Sequence, residues 1–116
     1  NGAFANHKIV FRYADAYLMK AEAMLRSGGD PTAMVNTLRT LRDATPLGSV
    51  TEQDIIDERG RELYGELWRR NDLIRFGQFT APWSYKEVSG DNTKNLFPIP
   101  ATAIISNPNL VQNEGY

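Results

Sequence analysis

The stretch that decides the fold runs from Arg12 to Pro31 and reads RYADAYLMKAEAMLRSGGDP. Its apolar residues recur at intervals of three and four, the spacing that turns one face of a helix towards a partner. These residues are Ala14, Leu18, Ala21 and Leu25. Two glycines and an Asp-Pro pair follow, which end this helix and cap the next one. The pattern predicts a helix over residues 12–27.

Two further helices are predicted from the same kind of pattern. The second covers residues 31–44, and a Pro-Leu-Gly-Ser stretch ends it. Its apolar stripe consists of Met34, Val35, Leu38 and Leu41. Thr51, followed three residues later by Asp54, resembles a capping box. The third helix is therefore predicted over residues 52–70, with Ile56, Gly60, Leu63 and Leu67 on its core side.

The first two helices with their glycine turn have about the length of one tetratricopeptide-like repeat, ~34 residues. A single repeat cannot bury its apolar face alone, so neighbouring repeats are expected outside these residues or on another chain. The sequence predicts an all-α fold that belongs to a larger protein. It comprises this helix pair, the third long helix and an irregular, proline-rich tail.

The last third of the chain is less regular than the helical part. A short helical turn over residues 72–76 is closed by Gly77, and residues 78–95 are predicted to form a loop because they are rich in polar, proline and glycine residues. Residues 96–116 carry a single charged side chain among apolar residues and prolines. This tail is therefore predicted to pack down instead of being solvated.

Composition excludes several classes of function. The chain has 116 residues, of which 41% are hydrophobic and 23% are charged, as in a single soluble domain. Its net charge of -1 lacks the basic excess that binding to nucleic acid requires. The sequence has no run of about 18 apolar residues, the length that crosses a bilayer. Because it has no cysteine and only a lone His7, no metal or cofactor site is predicted.

A charged flank follows the predicted third helix and consists of Arg59, Glu62, Glu66, Arg69 and Arg70. One interpretation is a glycoside hydrolase, because Glu62 and Glu66 would lie about 5 Å apart, as in a retaining pair. Two arguments oppose it. Adjacent arginines keep both carboxylates anionic, whereas a general acid needs a raised pKa, and neighbours on one helix cannot flank a substrate from opposite sides. A structural charge network without catalysis is the favoured interpretation.

Glu22 and Asp72 are assigned to the same structural charge network. Glu22 lies close to the apolar stripe of the first helix, so its carboxylate is expected to be half-buried and to need a cationic partner. Arg39 and Arg42 are the candidates for that partner.

Aromatic residues are the candidates for ligand recognition. Phe79, Trp83 and Tyr85 occur in the predicted loop, and Trp68 lies on the outer side of its helix. Exposed Trp and Tyr offer flat faces and polar donors to a ligand. The alternative is that these rings pin the loop to the helical body, which is favoured because large aromatic side chains are usually buried.

Three groups of motifs occur in a fixed order along the chain. They are RYAD with AEA within residues 12–23, DERGRELY with RRNDLIRFG within 57–77, and LFPIP, NPNL and QNEGY within 96–116. Together they resemble the C-terminal segment of the SusD/RagB family of bacterial nutrient-uptake lipoproteins. The sequence departs from the family at Leu67, where a glycine is usual, and at Glu114, where proline is common.

The resemblance implies a helical, tetratricopeptide-like fold and a function without catalysis. Family members are anchored on the outer-membrane surface by an N-terminal lipid, pair with a SusC-like TonB-dependent transporter and capture oligosaccharides or other nutrients. We therefore expect the C-terminal region of a surface glycan-binding lipoprotein, whose remaining N-terminal part lies outside this chain. The alternative hypothesis is a helical scaffold that binds only protein, and the glycoside hydrolase is the third.

Overall fold

A computed structural model describes residues 9–87 and 92–116, so His7 and residues 88–91 of the predicted loop lie outside the described residues. The described part contains helices and turns, and its only strand-like pairing is an isolated bridge between Trp83 and Lys86. The helices are α1 (Tyr13–Arg26), α2 (Thr32–Leu41), α3 (Glu52–Glu62), α4 (Arg69–Arg75) and α5 (Ala101–Ser106). The all-α prediction is confirmed.

The chain divides into two compact units, Asn1–Asp72 and Leu73–Tyr116. In the first unit α1 packs against both α2 and α3. The completely buried side chains of this core are Leu18, Ala21, Val35, Ile55 and Ile56, and Ala14, Leu38, Val50 and Leu63 complete it. None of the described helices is long and apolar enough to cross a membrane.

The first two helices begin and end close to their predicted limits. Gly28 follows α1 with a φ of 84°, a left-handed conformation that glycine adopts without strain. Pro31 is the N-cap of α2, and the carboxylate of the preceding Asp30 accepts a hydrogen bond from the backbone N–H of Thr32, the first helical residue, at 2.9 Å. The helix ends at Leu41, three residues before the predicted limit, because Asp43 takes a positive φ of 54° that no α-helix continues.

The third helix differs from the prediction at its end. Thr51 and Asp54 form the capping box at its start, with reciprocal bonds between each side chain and the other residue's backbone N–H. The helix stops at Glu62, so the continuous helix predicted over 52–70 is wrong in its second half. Gly65 and Leu67 have φ values of 78° and 67°, and this left-handed turn separates α3 from α4. It also leaves Leu67 exposed, although the sequence predicted it to be on the core side.

In the second unit, side chains near the C-terminus form hydrogen bonds with the backbone of residues 96–99. The Gln112 side chain donates to the carbonyl of Ile99 at 2.9 Å and accepts from its N–H at 2.8 Å. The Tyr116 hydroxyl donates to the Leu96 carbonyl at 3.0 Å. Some apolar residues of the tail are half-buried, whereas Leu96, Phe97, Ile105 and Val111 are exposed. The tail therefore folds back on itself without burying all of its apolar side chains.

Candidate functional site

Arg59 is the largest of the almost completely buried side chains of the first unit. Only 2% of it is exposed, although the sequence placed it on a charged flank. Its Nη2 lies 2.7 Å from Oδ1 of Asp15, and its Nε lies 2.9 Å from Oδ1 of Asp72. Both carboxylates are buried as well, and a buried charge is tolerated only when it is paired in this way. The cluster connects α1, α3 and α4.

Asp15 was not singled out by the sequence analysis, although a signal for it exists. It lies seven residues before Glu22, so both carboxylates face the same side of α1, and both are buried. Two acidic residues on the packed side of a helix predict cationic partners on the facing helices. Arg59 supplies that partner for Asp15.

Glu62 connects α3 to both of the preceding helices. Its Oε1 lies 2.6 Å from Nη1 of Arg12 and 2.8 Å from Nη2 of Arg42. Arg12 also donates to both carboxylate oxygens of Glu66, at 2.8 and 3.0 Å, and to the backbone carbonyl of Glu62. The partners of Glu62 and Glu66 therefore come from outside α3, not from the arginines of their own flank.

The electrostatics around Glu62 favour its anion. The hydrogen bond from Arg42 holds the pKa of Glu62 below its ordinary value, and the bond from Arg12 acts in the same direction, although partial burial opposes both. In turn, the hydrogen bonds to Glu62 raise the pKa of Arg12 and of Arg42. A carboxylate with a lowered pKa cannot deliver a proton at neutral pH, so Glu62 does not have the chemistry of a general acid.

A polar cleft of about 590 Å³ lies over this network, lined by Arg12, Arg39, Arg42, Arg61, Glu58 and Glu62. Oε2 of Glu58 lies 2.7 Å from Nη1 of Arg39 and 2.7 Å from Nη2 of Arg61. The two carboxylates are nearly buried, whereas Arg42 and Arg61 are about half exposed. Each carboxylate is thus already neutralised by two guanidinium groups.

Glu22 has a different partner from the ones predicted. It is buried, and its Oε1 lies 3.0 Å from Nε of Arg26, one turn further along α1. The predicted partners, Arg39 and Arg42, instead bind Glu58 and Glu62. The prediction is wrong because these two arginines have carboxylates available on α3, and Glu22 finds a cation on its own helix.

The two remaining arginines of the flank lie on α4. Arg69 reaches back to α3 and donates from Nη1 to the backbone carbonyl of Ile56 at 2.7 Å. Gly60 makes room for this guanidinium, since a Cβ there would lie 2.8 Å from Arg69 Nη1. Arg70 is half-buried on the same helix.

Two of the four candidate aromatic residues pack against other side chains. In the first unit, Trp68 lies against Phe11, with ring centroids 5.2 Å apart and planes tilted by 41°. In the second unit, Phe79 is half-buried, and the ammonium of Lys86 lies 5.2 Å from its ring centroid. The same ammonium also donates to the Phe79 carbonyl. These contacts favour a packing role for both rings.

The other two candidates lie at a tight turn of the second unit. The N–H of Lys86 donates to the Trp83 carbonyl at 2.7 Å, and the N–H of Trp83 donates back at 3.1 Å. Trp83 is 59% exposed, and Tyr85 is fully exposed. This aromatic turn, defined as residues 83–86, presents two unburied aromatic side chains within three residues of each other.

A second surface feature, which the sequence analysis missed, is an apolar groove between α1 and α2. This α1–α2 groove has a volume of about 470 Å³. Tyr13 and Tyr17 form one wall, with ring centroids 5.8 Å apart, and Leu41 lines the groove from α2. The signal was the four-residue spacing of the two tyrosines, which places them on one face of α1.

Comparison with known proteins identifies the family. The SusD family model matches residues 1–116. The starch-binding protein SusD of Bacteroides thetaiotaomicron is 46% identical, over 92% of this chain and 21% of its own length. Two relatives from Formosa agariphila are SusD-like protein P38, 32% identical over 93% of this chain and 24% of its own length, and SusD-like protein P25, 41% identical over 63% and 16%.

The matched region is a small share of each relative, so the chain spans about a fifth of the length of the curated proteins it matches. The resemblance read from the three groups of motifs is confirmed by the family model, which covers every residue from Asn1 to Tyr116. The chain belongs to the SusD family.

Proposed function

We propose that this chain is the C-terminal part of a surface protein that captures oligosaccharides and carries out no covalent chemistry. One observation carries the proposal: the family match extends over the whole chain, together with 46% identity to a relative named as a starch-binding protein. The chain spans only a fifth of that relative, so the proposal concerns the full-length protein.

Within this chain the aromatic turn is the proposed contact with a glycan. An indole ring and a phenol ring both stack on the apolar face of a sugar, and each carries one polar group that orients the ligand. Trp83 and Tyr85 meet this requirement because both are exposed. Phe79 and Trp68, the other two candidates, are assigned to packing because of their contacts with Lys86 and Phe11.

The charge network supports the part of the proposal that assigns no catalysis to this chain. Glu62 and Glu66 lie four residues apart in sequence and share Arg12, which satisfies carboxylate oxygens of both. A glycosidase needs one carboxyl group with a raised pKa, and the lowered pKa of Glu62 has the opposite sign. The network is proposed to hold the helices in place.

The partners and the location follow from what the family resemblance implies. The proposal includes a SusC-like TonB-dependent transporter as the protein that receives the ligand. It also includes attachment to the outer-membrane surface by an N-terminal lipid outside residues 1–116. The remaining N-terminal part of the same protein is proposed to supply most glycan contacts, since the relatives extend far beyond the matched region.

A helical scaffold that binds only protein is the second candidate. The α1–α2 groove favours it, because an apolar groove between two helices suits a protein helix better than a sugar.

The test is a glycan array on the full-length protein, with maltooligosaccharides and other soluble plant and algal oligosaccharides, followed by titration of each retained glycan. We expect retention without turnover and a loss of affinity of about tenfold or more for Trp83→Ala, at an unchanged melting temperature. Trp68→Ala is the matched control, and it should lower the melting temperature while leaving affinity unchanged.

The possible results separate the hypotheses. No retention of any glycan would refute glycan capture and leave the protein scaffold. Retention that Trp83→Ala and Tyr85→Ala leave unchanged would refute the aromatic turn as a contact, and the wider function would stand. Turnover of a retained glycan would restore the glycoside hydrolase.

A further inference from the structure

The polar cleft of the first unit is lined by twice as many arginines as carboxylates. We call it the arginine cleft and define it by Arg12, Arg39, Arg42, Arg61, Glu58 and Glu62. The chain as a whole carries a formal net charge of -1, so the excess of cations here does not follow from composition. A concave surface of one sign raises the local concentration of ions of the opposite sign.

Burial hides the negative charges of the arginine cleft more than its positive charges. The side chains of Glu58 and Glu62 are each 5% exposed, whereas those of Arg42 and Arg61 are 54% and 56% exposed. A ligand that enters the cleft therefore meets guanidinium groups before it meets carboxylates. The charge that the cleft offers to solvent is positive.

The two exposed arginines have hydrogen-bond donors that the network does not use. Arg42 donates to Glu62 through Nε and Nη2, and Arg61 donates to Glu58 through the same two atoms. In the described part of the chain, the Nη1 group of each arginine makes no hydrogen bond. Guanidinium groups match the geometry of carboxylate and phosphate oxygens, so these donors suit an oxyanion.

The arginines are held in place before any ligand arrives. Glu58 and Glu62 lie one turn apart on α3, and each is bound by two arginines. Arg39 also donates to the backbone carbonyl of Thr45 at 2.8 Å. Side chains that are already ordered lose little rotamer freedom on binding, which favours affinity. The volume of about 590 Å³ is typical of sites for small molecules.

We propose that the arginine cleft binds a small oxyanion, either a free inorganic anion or the carboxylate of an acidic sugar. The Nη1 groups of Arg42 and Arg61 donate to this oxyanion, and the buried glutamates hold both arginines. The site belongs to the first unit, whereas the aromatic turn belongs to the second. Binding of the oxyanion does not depend on glycan capture at that turn.

The test is isothermal titration calorimetry of the full-length protein with three oxyanions and one neutral control. The oxyanions are inorganic phosphate, inorganic sulfate and D-glucuronate, and the neutral control is D-glucose. Sodium chloride at matched ionic strength corrects for general screening. We expect saturable binding of at least one oxyanion, and no binding of glucose that substitutions in the cleft would change.

Substitutions of Arg61 locate the site. Arg61→Met removes one of the two unused donors and should weaken oxyanion binding at least about tenfold. Arg61→Lys keeps the charge without the planar fork, so its affinity should lie between those of the unsubstituted protein and Arg61→Met. Arg26→Met is the matched control and should leave the affinity unchanged, because Arg26 is also partly exposed and binds a nearly buried glutamate, but lies outside the cleft. Thermal melts first establish that the three variants fold.

Three results would overturn the proposal. Absence of binding by all three oxyanions would mean that the exposed guanidinium groups are only hydrated. Binding that both Arg61 variants leave unchanged would place the oxyanion elsewhere. Equal losses in Arg61→Met and Arg26→Met would indicate general electrostatic attraction without a site.

The oxyanions also distinguish the two sources of the ligand. Arg61-dependent binding of glucuronate alone supports an acidic sugar, whereas Arg61-dependent binding of phosphate or sulfate alone supports a free ion. Capture of neutral glycans is measured separately by the Trp83→Ala titration, so failure of either proposal leaves the other standing.

Discussion

At the scale of single residues, Arg59 decides the stability of the first unit. Its side chain is 2% exposed and is the cation that both Asp15 and Asp72 share. Replacing it with methionine preserves much of its volume but removes the guanidinium that binds both buried carboxylates. We expect Arg59→Met to lower the free energy of unfolding by about 3–5 kcal/mol.

Chemical denaturation of the full-length protein measures this loss. Arg61→Met is the matched control on the same helix, because Arg61 is about half exposed and Glu58 keeps Arg39 as a second cationic partner. The free energy of unfolding should fall by less than about 1 kcal/mol in Arg61→Met. Equal effects of the two substitutions would contradict the central role of Arg59.

Leu67, where the family resemblance leads us to expect glycine, has a left-handed backbone conformation. Its φ is 67°, a conformation that costs a residue with a Cβ about 1–2 kcal/mol and costs glycine almost nothing. The side chain is 77% exposed, so it contributes little packing. We expect Leu67→Gly to raise the free energy of unfolding by up to about 1 kcal/mol, since the greater freedom of unfolded glycine offsets part of the gain.

The control lies two residues earlier in the same turn. Gly65 has a φ of 78°, so Gly65→Ala should destabilise the protein by about 1 kcal/mol. If the turn is strained at Leu67, thermal and urea denaturation should show that the two substitutions change the free energy of unfolding in opposite directions. A loss of stability in Leu67→Gly would show that the leucine packs against something in the full-length protein.

At the scale of helices, features that depend on neighbouring residues were easier to predict than contacts between residues distant in sequence. The start of α3 was predicted because a capping box lies within four consecutive residues. The end of α3 was missed because the apolar spacing continues from Leu63 to Leu67 across the turn that separates α3 from α4. The partners of Arg59 lie 44 residues before it and 13 residues after it, distances at which periodicity carries no information.

The capping box of α3 gives a prediction with a pH dependence. Thr51→Ala removes the hydroxyl that accepts from the Asp54 N–H, and such a loss costs about 1 kcal/mol. Hydrogen bonds from the Thr51 hydroxyl and backbone N–H hold the pKa of Asp54 below its ordinary 3.8. Because the pKa is lowered on folding, the stabilisation is present above pH 3.8 and disappears as the pH falls through the lowered value.

Melting temperatures from pH 6 to pH 3 test this prediction. The difference in melting temperature between the unsubstituted protein and Thr51→Ala should be largest near neutral pH and should decrease in acid. Thr40→Ala, at an exposed threonine of α2, is the control and should show no such narrowing, since it removes no contact with a carboxylate. A gap that widens in acid would contradict the sign of the Asp54 shift.

Because Glu62 connects three helices, its replacement should lower the free energy of unfolding. Glu62→Gln removes the charge that binds Arg12 and Arg42, and hydrogen bonds to a nearly buried charged group contribute about 1.5–3 kcal/mol. Because the pKa of Glu62 is lowered in the folded protein, its stabilisation is present above its ordinary value of 4.5 and is lost as the pH falls through the lowered pKa.

The comparison is Glu52→Gln, since Glu52 is mostly exposed and lies 3.3 Å from Arg26. The free energy of unfolding should fall by about 0.5 kcal/mol or less in Glu52→Gln. Urea melts and glycan titrations on both variants separate folding from binding. An unchanged melt with abolished glycan retention would assign Glu62 to the binding site.

At the scale of the whole molecule, the family and the fold class were predictable, whereas the exposed surfaces were not. Trp83 and Tyr85 were proposed as ligand contacts from the sequence because they are aromatic residues in a predicted polar loop. Their exposure, and the packing of Trp68 against Phe11, depend on neighbours distant in sequence. The α1–α2 groove was missed because Tyr13 and Leu41 lie on two different helices, and only folding brings them to one surface.

The exposed groove leads to a prediction about the 116-residue chain produced alone. With Tyr13 and Leu41 unburied, the isolated chain should self-associate at concentrations of about tens of micromolar, as partly covered helical surfaces do. Sedimentation velocity across a dilution series measures this association. Leu41→Lys should reduce it, because a charge in an apolar contact is costly, whereas Tyr64→Lys, at an exposed position outside the groove, should leave it unchanged. A dilute monomer with a cooperative thermal transition would instead mean that the first unit is stable with its groove open to water.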